Sequence, residues 1–217
     1  MIRSSTQNEL GMEIASKLLD IEAIRLDAKN PFTWSSGWKS PIYCDNRLSL
    51  SYPSIRDLVK NALSEAIQEK YEGVESIAGV ATAGIPQGAL VADVLSLPFL
   101  YVRSKPKGHG MENRIEGKIT AGQQVVIVED LVSTGGSSLK AAEALKAAGF
   151  EVMGMAAVFT YDFDLARKNF QAAGIPLVCL SNYHDLLEEA LRRNYITQDD
   201  LGQLKKWRED PASWSLV

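Results

Sequence analysis

Basic charge, histidine and cysteine are all scarce in this 217-residue chain. Lys and Arg number 23 against 27 Asp and Glu, a net charge of -4. A dedicated nucleic-acid binder, which needs a basic face, is therefore not expected, although a local basic patch for a small polyanion stays open. Two histidines and two cysteines give no companions for a metal site. Cys44 and Cys179 form no C-x-x-C pair and read as reduced thiols of a cytoplasmic protein. No window approaches the roughly 20 apolar residues of a membrane span, and Met1 to Glu9 lacks the apolar core of a secretory signal. Internal repeats and low-complexity runs are missing too. What remains is 46% hydrophobic and 23% charged, the composition of a soluble globular chain of one domain, or one domain with a small appendage.

Leu10, Ile14, Leu18 and Ile21 recur at helical spacing and predict an N-terminal amphipathic helix. Asn30 to Tyr43, dense in aromatics, serine and turn residues, predicts irregular or hairpin structure. Ser51 and Pro53 open a helix whose buried face is Ile55, Leu58, Val59, Ala62, Ala66 and Ile67. Strands then alternate with helices: strand 76–81, a turn at Thr82 to Gly84, a helix around 89–95, strand 98–102, strand 125–128, helix 139–148 and strand 152–160. Asp162 is placed to cap a helix reaching about Ala173. A strand at 176–180, a helix around 186–192 and a capping signal at Thr197 to Asp200 complete the pattern. The alternation predicts an α/β fold, a central parallel sheet flanked by helices. Residues 1–50 stand outside it and are expected to form a hood over the site, with 51–195 as the core and 196–217 as a last helix and tail. Ligands in such sheets bind at the carboxyl ends of strands. Three segments lie there: Thr82 to Gly84, Arg103 onward, and Glu129 to Ser137.

The last of these is the most informative. Val125 to Val128 is an apolar strand that leads into Glu129 and Asp130, then into the small residues Ser133 to Ser138 and a helix. A helix N-terminus offers N–H groups and a favourable dipole to an anion. The acids cannot hold phosphate, and ribose hydroxyls are their natural partners. A P-loop needs Lys after its final Gly, where Ser137 stands, and a dinucleotide fingerprint needs G-x-G-x-x-G, where only Gly135-Gly136 is present. The plain alternative is a βα turn with Ser and Thr capping the helix. The second informative segment is the loop after strand 98–102. Arg103, Lys105, Lys107, His109 and Arg114 are interleaved there with Gly108 and Gly110, as suits a lid over a polyphosphate. A solvated charged hairpin is the alternative. Trp207 and Trp214 read as packing or tail residues, and His184 as a cap or surface residue.

Glu129, Asp130, Leu131, Val132, Ser133, Thr134, Gly135, Gly136 and Ser137 together resemble the phosphoribosyl-pyrophosphate (PRPP) motif of the type I phosphoribosyltransferases. Arg103-x-x-x-Lys107-x-His109-Gly110 resembles the catalytic loop of one family among them, the orotate phosphoribosyltransferases. Phe32-Thr-x-x-Ser36-Gly37-x-x-Ser40-Pro41-x-Tyr43 resembles the same family's orotate-side segment. Three separated motifs in the right order carry the resemblance over about residues 30–190.

The resemblance implies a reaction of orotate with PRPP to give orotidine 5′-phosphate and pyrophosphate, in the biosynthesis of UMP. It implies Mg²⁺ held mainly by substrate, with no all-protein metal site. The partners it implies are orotate, PRPP and a second copy in a homodimer that shares the loop, with no nucleic acid and no membrane. The implied roles are Glu129 and Asp130 on the ribose hydroxyls, Thr134 to Ser137 on the 5′-phosphate, and Arg103, Lys107 and His109 closing on pyrophosphate as the catalytic set. Ser133, Tyr43 and Lys39 would contact orotate. The chain departs from many members at Ser35 and Ser104, where they carry Lys, and from some at Ala83, where they place a Lys just before the Gly of the turn. Lys39, Arg47 and Lys105 stand nearby as substitutes, and no Arg is evident after strand 152–160 to take the orotate carboxylate. A purine-salvage enzyme of the same superfamily is the nearest alternative. A non-catalytic PRPP-sensing regulator is a further one, disfavoured by the acidic charge.

Overall fold

The structure is a computed structural model and describes residues 4–34, 37–105 and 114–214. Contacts divide the chain into two compact units, Pro53–Leu180 on one side and Met1–Tyr52 with Ser181–Val217 on the other.

The second unit begins with α1 (Ser5–Asp20), closed at its start by a capping box between Ser4 and Gln7. Ile14 and Leu18 are fully buried, as the helical spacing predicts, while Ile21 serves as the C-cap. Then come β1 (Ile24–Leu26), β2 (Phe32–Thr33), β3 (Lys39–Ser40) and β4 (Ile42–Cys44). β1 pairs antiparallel with β4, and β2 with β3. The hairpin expected in this stretch is present. Its turn includes Gly37 at φ +86°, and the Trp34 indole N–H donates to the Ile42 carbonyl at 3.0 Å.

The core unit opens on α2 (Pro53–Lys70) and continues through β5 (Ser76–Val80), α3 (Gly84–Leu95), β6 (Phe99–Val102), β7 (Ile115–Glu116), β8 (Gln124–Val132), α4 (Gly136–Ala147), β9 (Glu151–Thr160), α5 (Asp164–Ala173) and β10 (Leu177–Asn182). One six-stranded sheet has the order β10-β9-β8-β5-β6-β7. β5 is parallel to both β6 and β8, and β8 is parallel to β9. β7 runs antiparallel to β6. Every residue of β5 and Val125 to Val128 of β8 are buried, as strands covered on both faces must be. The chain winds from β5 to β6 in one direction, then crosses to β8 and β9 on the other side. The carboxyl ends of β5 and β8 therefore flank the switch point, where open α/β sheets bind ligands.

Two local expectations are corrected. β8 does not stop before the acids: Glu129 pairs with Ala157, Leu131 with Phe159 and Val132 with Thr160, so the ladder with β9 carries the strand through them. Asp162 does not cap α5. Phe163 is the N-cap and makes no side-chain cap bond. Asp162 instead sits at φ +54°, with its N–H on Thr160 Oγ1 at 2.9 Å.

The chain then returns to the unit that contains α1 with α6 (Tyr183–Arg192) and α7 (Gln198–Glu209). α6 falls in the same compact unit as α1. Arg193 donates to the Ser16 carbonyl and hydroxyl at 3.1 Å each and pairs with Asp20 at 2.5 Å. Glu189, buried, takes two 2.7 Å bonds from Arg192. Trp207 is fully buried, with its ring centroid 5.4 Å from that of Tyr183 and 5.6 Å from that of Trp34, so it is a packing residue as read. The Thr197–Asp200 capping box opens α7 as the sequence predicts. His184 lies in the first turn of α6 with its side chain 83% exposed. Among the described residues no helix is long and apolar enough to cross a membrane.

Candidate active site

Three chain segments meet at the carboxyl edge of the sheet. The turn after β5 is held against β8 by the absence of side chains. A Cβ on Gly84 would lie 2.5 Å from the Val128 carbonyl oxygen and 3.3 Å from Glu129 Cα. One on Gly79 would lie 2.8 Å from the Gly84 oxygen. Glycine here permits backbone to rest on backbone. The Ala81–Thr82 peptide in this turn is cis. The same turn is tied to the neighbouring strand by the Ala81 N–H, which donates to the Val102 carbonyl at 2.8 Å. Directly beyond, the Arg103 N–H donates to the Arg114 carbonyl at 2.7 Å.

Glu129 is buried while Asp130 is half-buried. The Glu129 carboxyl accepts from the Ser138 hydroxyl at 3.0 Å and from the Asp130 N–H at 3.1 Å. Burial, and next the charge of Asp130 beside it, hold its pKa well above the ordinary value of 4.5. Beyond Val132 the loop is only three residues long. Gly135 is the N-cap of α4 at φ +82°, with no side-chain cap bond. The alternative of an ordinary Ser/Thr-capped turn is thereby overturned. Among the described residues, the N–H groups of Gly135, Gly136 and Ser137 and the hydroxyls of Ser133, Thr134 and Ser137 donate to no protein acceptor. Gly136 and Ser137 are exposed. A helix start with unspent donors and an open face has the chemistry to take an anion.

Two features of this loop escape any local sequence reading. The Asn169 side-chain amide, on α5, donates to the Thr134 carbonyl at 3.0 Å. The ring of Phe170 fills the space where a Cβ on Gly135 would point, 2.6 Å from its Cε2. Ser138, one position past the motif, is the hydroxyl that meets Glu129, and it is buried. The only sequence signal for it is its place three residues after Gly135, on the inward side of the first helical turn.

Arg103 stands at the end of β6 with its guanidinium 3.4 Å from Glu116 on β7. Lys107 and His109, and with them Ser35, Ser36 and Gly110, lie outside the described residues. Lys39 and Tyr43 belong to the unit that contains α1. Lys39 Nζ donates to Thr33 Oγ1 at 2.8 Å, and the Tyr43 ring lies under the Arg25 guanidinium at 4.9 Å. Arg47, one of the expected substitutes for missing lysines, is bound to Asp45 through two bonds of 2.6 and 2.8 Å. The guanidinium in turn holds the Asp45 carboxyl below its ordinary range. After β9 an arginine does occur, Arg167, but it pairs with Asp164 at 2.9 Å and with Asp162 at 3.4 Å.

Residues 50–174 match the model of the phosphoribosyl transferase domain. The chain is 58% identical to the orotate phosphoribosyltransferase of Cytophaga hutchinsonii over 202 residues, 93% of this chain and 97% of that one. It is 56% identical to that of Porphyromonas gingivalis over 207 residues, 95% and 99% of the two chains. Among solved structures, the orotate phosphoribosyltransferase of Aeropyrum pernix superposes with a TM-score of 0.74 at 29% identity, covering 85% of this chain and 99% of that one. With an uncapped helix start behind two adjacent acids at the switch point of its sheet, and relatives of this identity along nearly its whole length, the chain belongs to the orotate phosphoribosyltransferases, enzymes of the phosphoribosyl transferase domain family.

Proposed function

We propose that the segment Glu129 to Ser137 holds PRPP at its ribose 5-phosphate end while orotate displaces pyrophosphate from C1′. The observation that carries this is the exposed, uncapped start of α4 directly behind two carboxylates. Gly135, Gly136 and Ser137 supply backbone N–H groups, and Thr134 and Ser137 hydroxyls, to the 5′-phosphate. Asp130 and Glu129 accept from the ribose 2′- and 3′-hydroxyls. The bond from C1′ to the pyrophosphate oxygen breaks ahead of the new bond from orotate N1 to C1′, and positive charge builds on the ribose ring between the two events. Neutralising the departing pyrophosphate is therefore the main electrostatic demand. Arg103, Lys107 and His109 meet it, with Lys107 foremost. Ser133, Tyr43 and Lys39 are the proposed orotate contacts. The enzyme acts as a homodimer in the cytoplasm, each copy lending its 103–110 loop to the other.

Among the described residues no group of three or more His, Cys, Asp or Glu could hold a metal ion by itself. Asp130 and Glu129 are hard oxygen donors and would hold a Mg²⁺ together with substrate oxygens. Mg²⁺ would supply charge neutralisation on pyrophosphate. Protein, PRPP and Mg²⁺ mixed with orotate, followed by the loss of orotate absorbance and repeated with uracil and hypoxanthine, test the reading. Turnover of orotate alone is expected; turnover of a purine base alone refutes it.

A further inference from the structure

The 5′-phosphate loop does not orient itself. Its central peptide, Thr134–Gly135, is trans, since Ala81–Thr82 is the one cis peptide among the described residues. In a trans peptide the carbonyl and the N–H point in opposite directions. The Thr134 carbonyl is drawn towards α5 by the Asn169 side-chain amide at 3.0 Å, across 35 residues of sequence. The Gly135 N–H must then face away from α5, and among the described residues it meets no protein acceptor there. Phe170, the next residue of α5, closes the underside of the loop and is 4% exposed. Glycine at 135, with its positive φ, could accommodate the peptide in either orientation at little steric cost. Something outside the loop has to choose one.

We infer that Asn169 is a positioning residue for PRPP: its amide, by holding the Thr134 carbonyl, aims the Gly135 N–H into the phosphate cradle. The inference rests on the reading of residues 133–137 as the 5′-phosphate site. It adds a residue of another element, outside the motif, that touches no substrate. The 5′-phosphate takes no part in bond breaking, so loosening its cradle weakens ground state and transition state alike.

Three variants test this by initial rates with PRPP and orotate varied in turn. Asn169→Asp keeps the shape and removes the donor, leaving a carboxylate beside the Thr134 carbonyl. Asn169→Ala removes the side chain from a half-buried helical position, where alanine is well tolerated. Ser137→Glu places a negative charge in the cradle itself, in the first helical turn where a carboxylate favours folding. Loss of one hydrogen bond predicts that the PRPP KM rises about 3- to 10-fold in Asn169→Ala, and at least as far in Asn169→Asp. In both, kcat and the orotate KM stay within about twofold of the parent, as expected for a uniform-binding loss. Ser137→Glu should raise the PRPP KM by roughly tenfold or more. If Ser137→Glu does so while both Asn169 variants behave as the parent, Asn169 has no positioning role. A fall in kcat together with a rise in both KM values would also overturn it, as the mark of general disruption. If none of the three changes the PRPP KM, the phosphate reading of the loop fails, and the inference fails with it.

Discussion

Replacing Gly135 by alanine should damage the loop in two separable ways. The first is backbone strain: at φ +82° an L-residue is disfavoured by about 1–2 kcal/mol. The second is collision. The new Cβ would lie 2.6 Å from Cε2 and 3.1 Å from Cδ2 of Phe170, about 1 Å inside ordinary carbon contact. Phe170 is 4% exposed and has little room to withdraw. Overpacking of this kind costs about 1–3 kcal/mol. Together the two predict a loss of roughly 2–5 kcal/mol, a large part of the roughly 5–15 kcal/mol that holds a domain folded. Phe170→Ala is itself costly, but it removes the collision. Gly135→Ala made in that background should then cost only the backbone part. Urea unfolding of the parent, both single variants and the double variant gives the coupling, expected at about 1–3 kcal/mol. If Gly135→Ala costs the same in both backgrounds, the ring does not set the shape of the loop and the account of its packing is wrong.

Two further outcomes follow from the site. Glu129 has a folded pKa raised above its ordinary 4.5, so the stability its protonated form contributes is fully present below 4.5 and is lost as pH rises through the raised value. Glu129→Gln, neutral throughout, should therefore gain in urea midpoint over the parent between pH 4 and pH 8; a difference that stays flat with pH would show that the Glu129 carboxylate is not penalised by burial. Lys107→Ala should lower kcat by roughly 100-fold while PRPP binding weakens far less, because a contact to the leaving group strengthens as charge develops; equal losses in both would remove Lys107 from that role.

What the sequence made legible was what local pattern carries. The apolar run of β8, the small residues after it and the helical face of α4 all speak within 20 positions of one another. The capping box at Thr197 is likewise local chemistry. What the local pattern does not carry is set by tertiary pairing. Two adjacent carboxylates read as the end of a strand, yet β9 continues the ladder beside Glu129 and Leu131. β7 is only two residues long, too short for any period, and is held in place by pairing with Tyr101 and Val102. The ion pair that joins the end of α6 to α1 links Arg193 to Asp20 across 173 residues. At the site the same division holds. The residues that would touch the ribose 5-phosphate end of PRPP form one contiguous motif, but Asn169 and Phe170, which shape it, bear no mark in the sequence. Asn169 reads as one more polar residue on an amphipathic helix.

The central claim is that the start of α4 takes the 5′-phosphate. The most direct measurement is to titrate isotopically labelled protein with ribose 5-phosphate, and separately with ribose, and to follow the backbone amide resonances. The account predicts that Gly135, Gly136 and Ser137 shift, with saturation, under ribose 5-phosphate and not under ribose. Saturating shifts elsewhere in the chain, with these three amides unmoved, would contradict it.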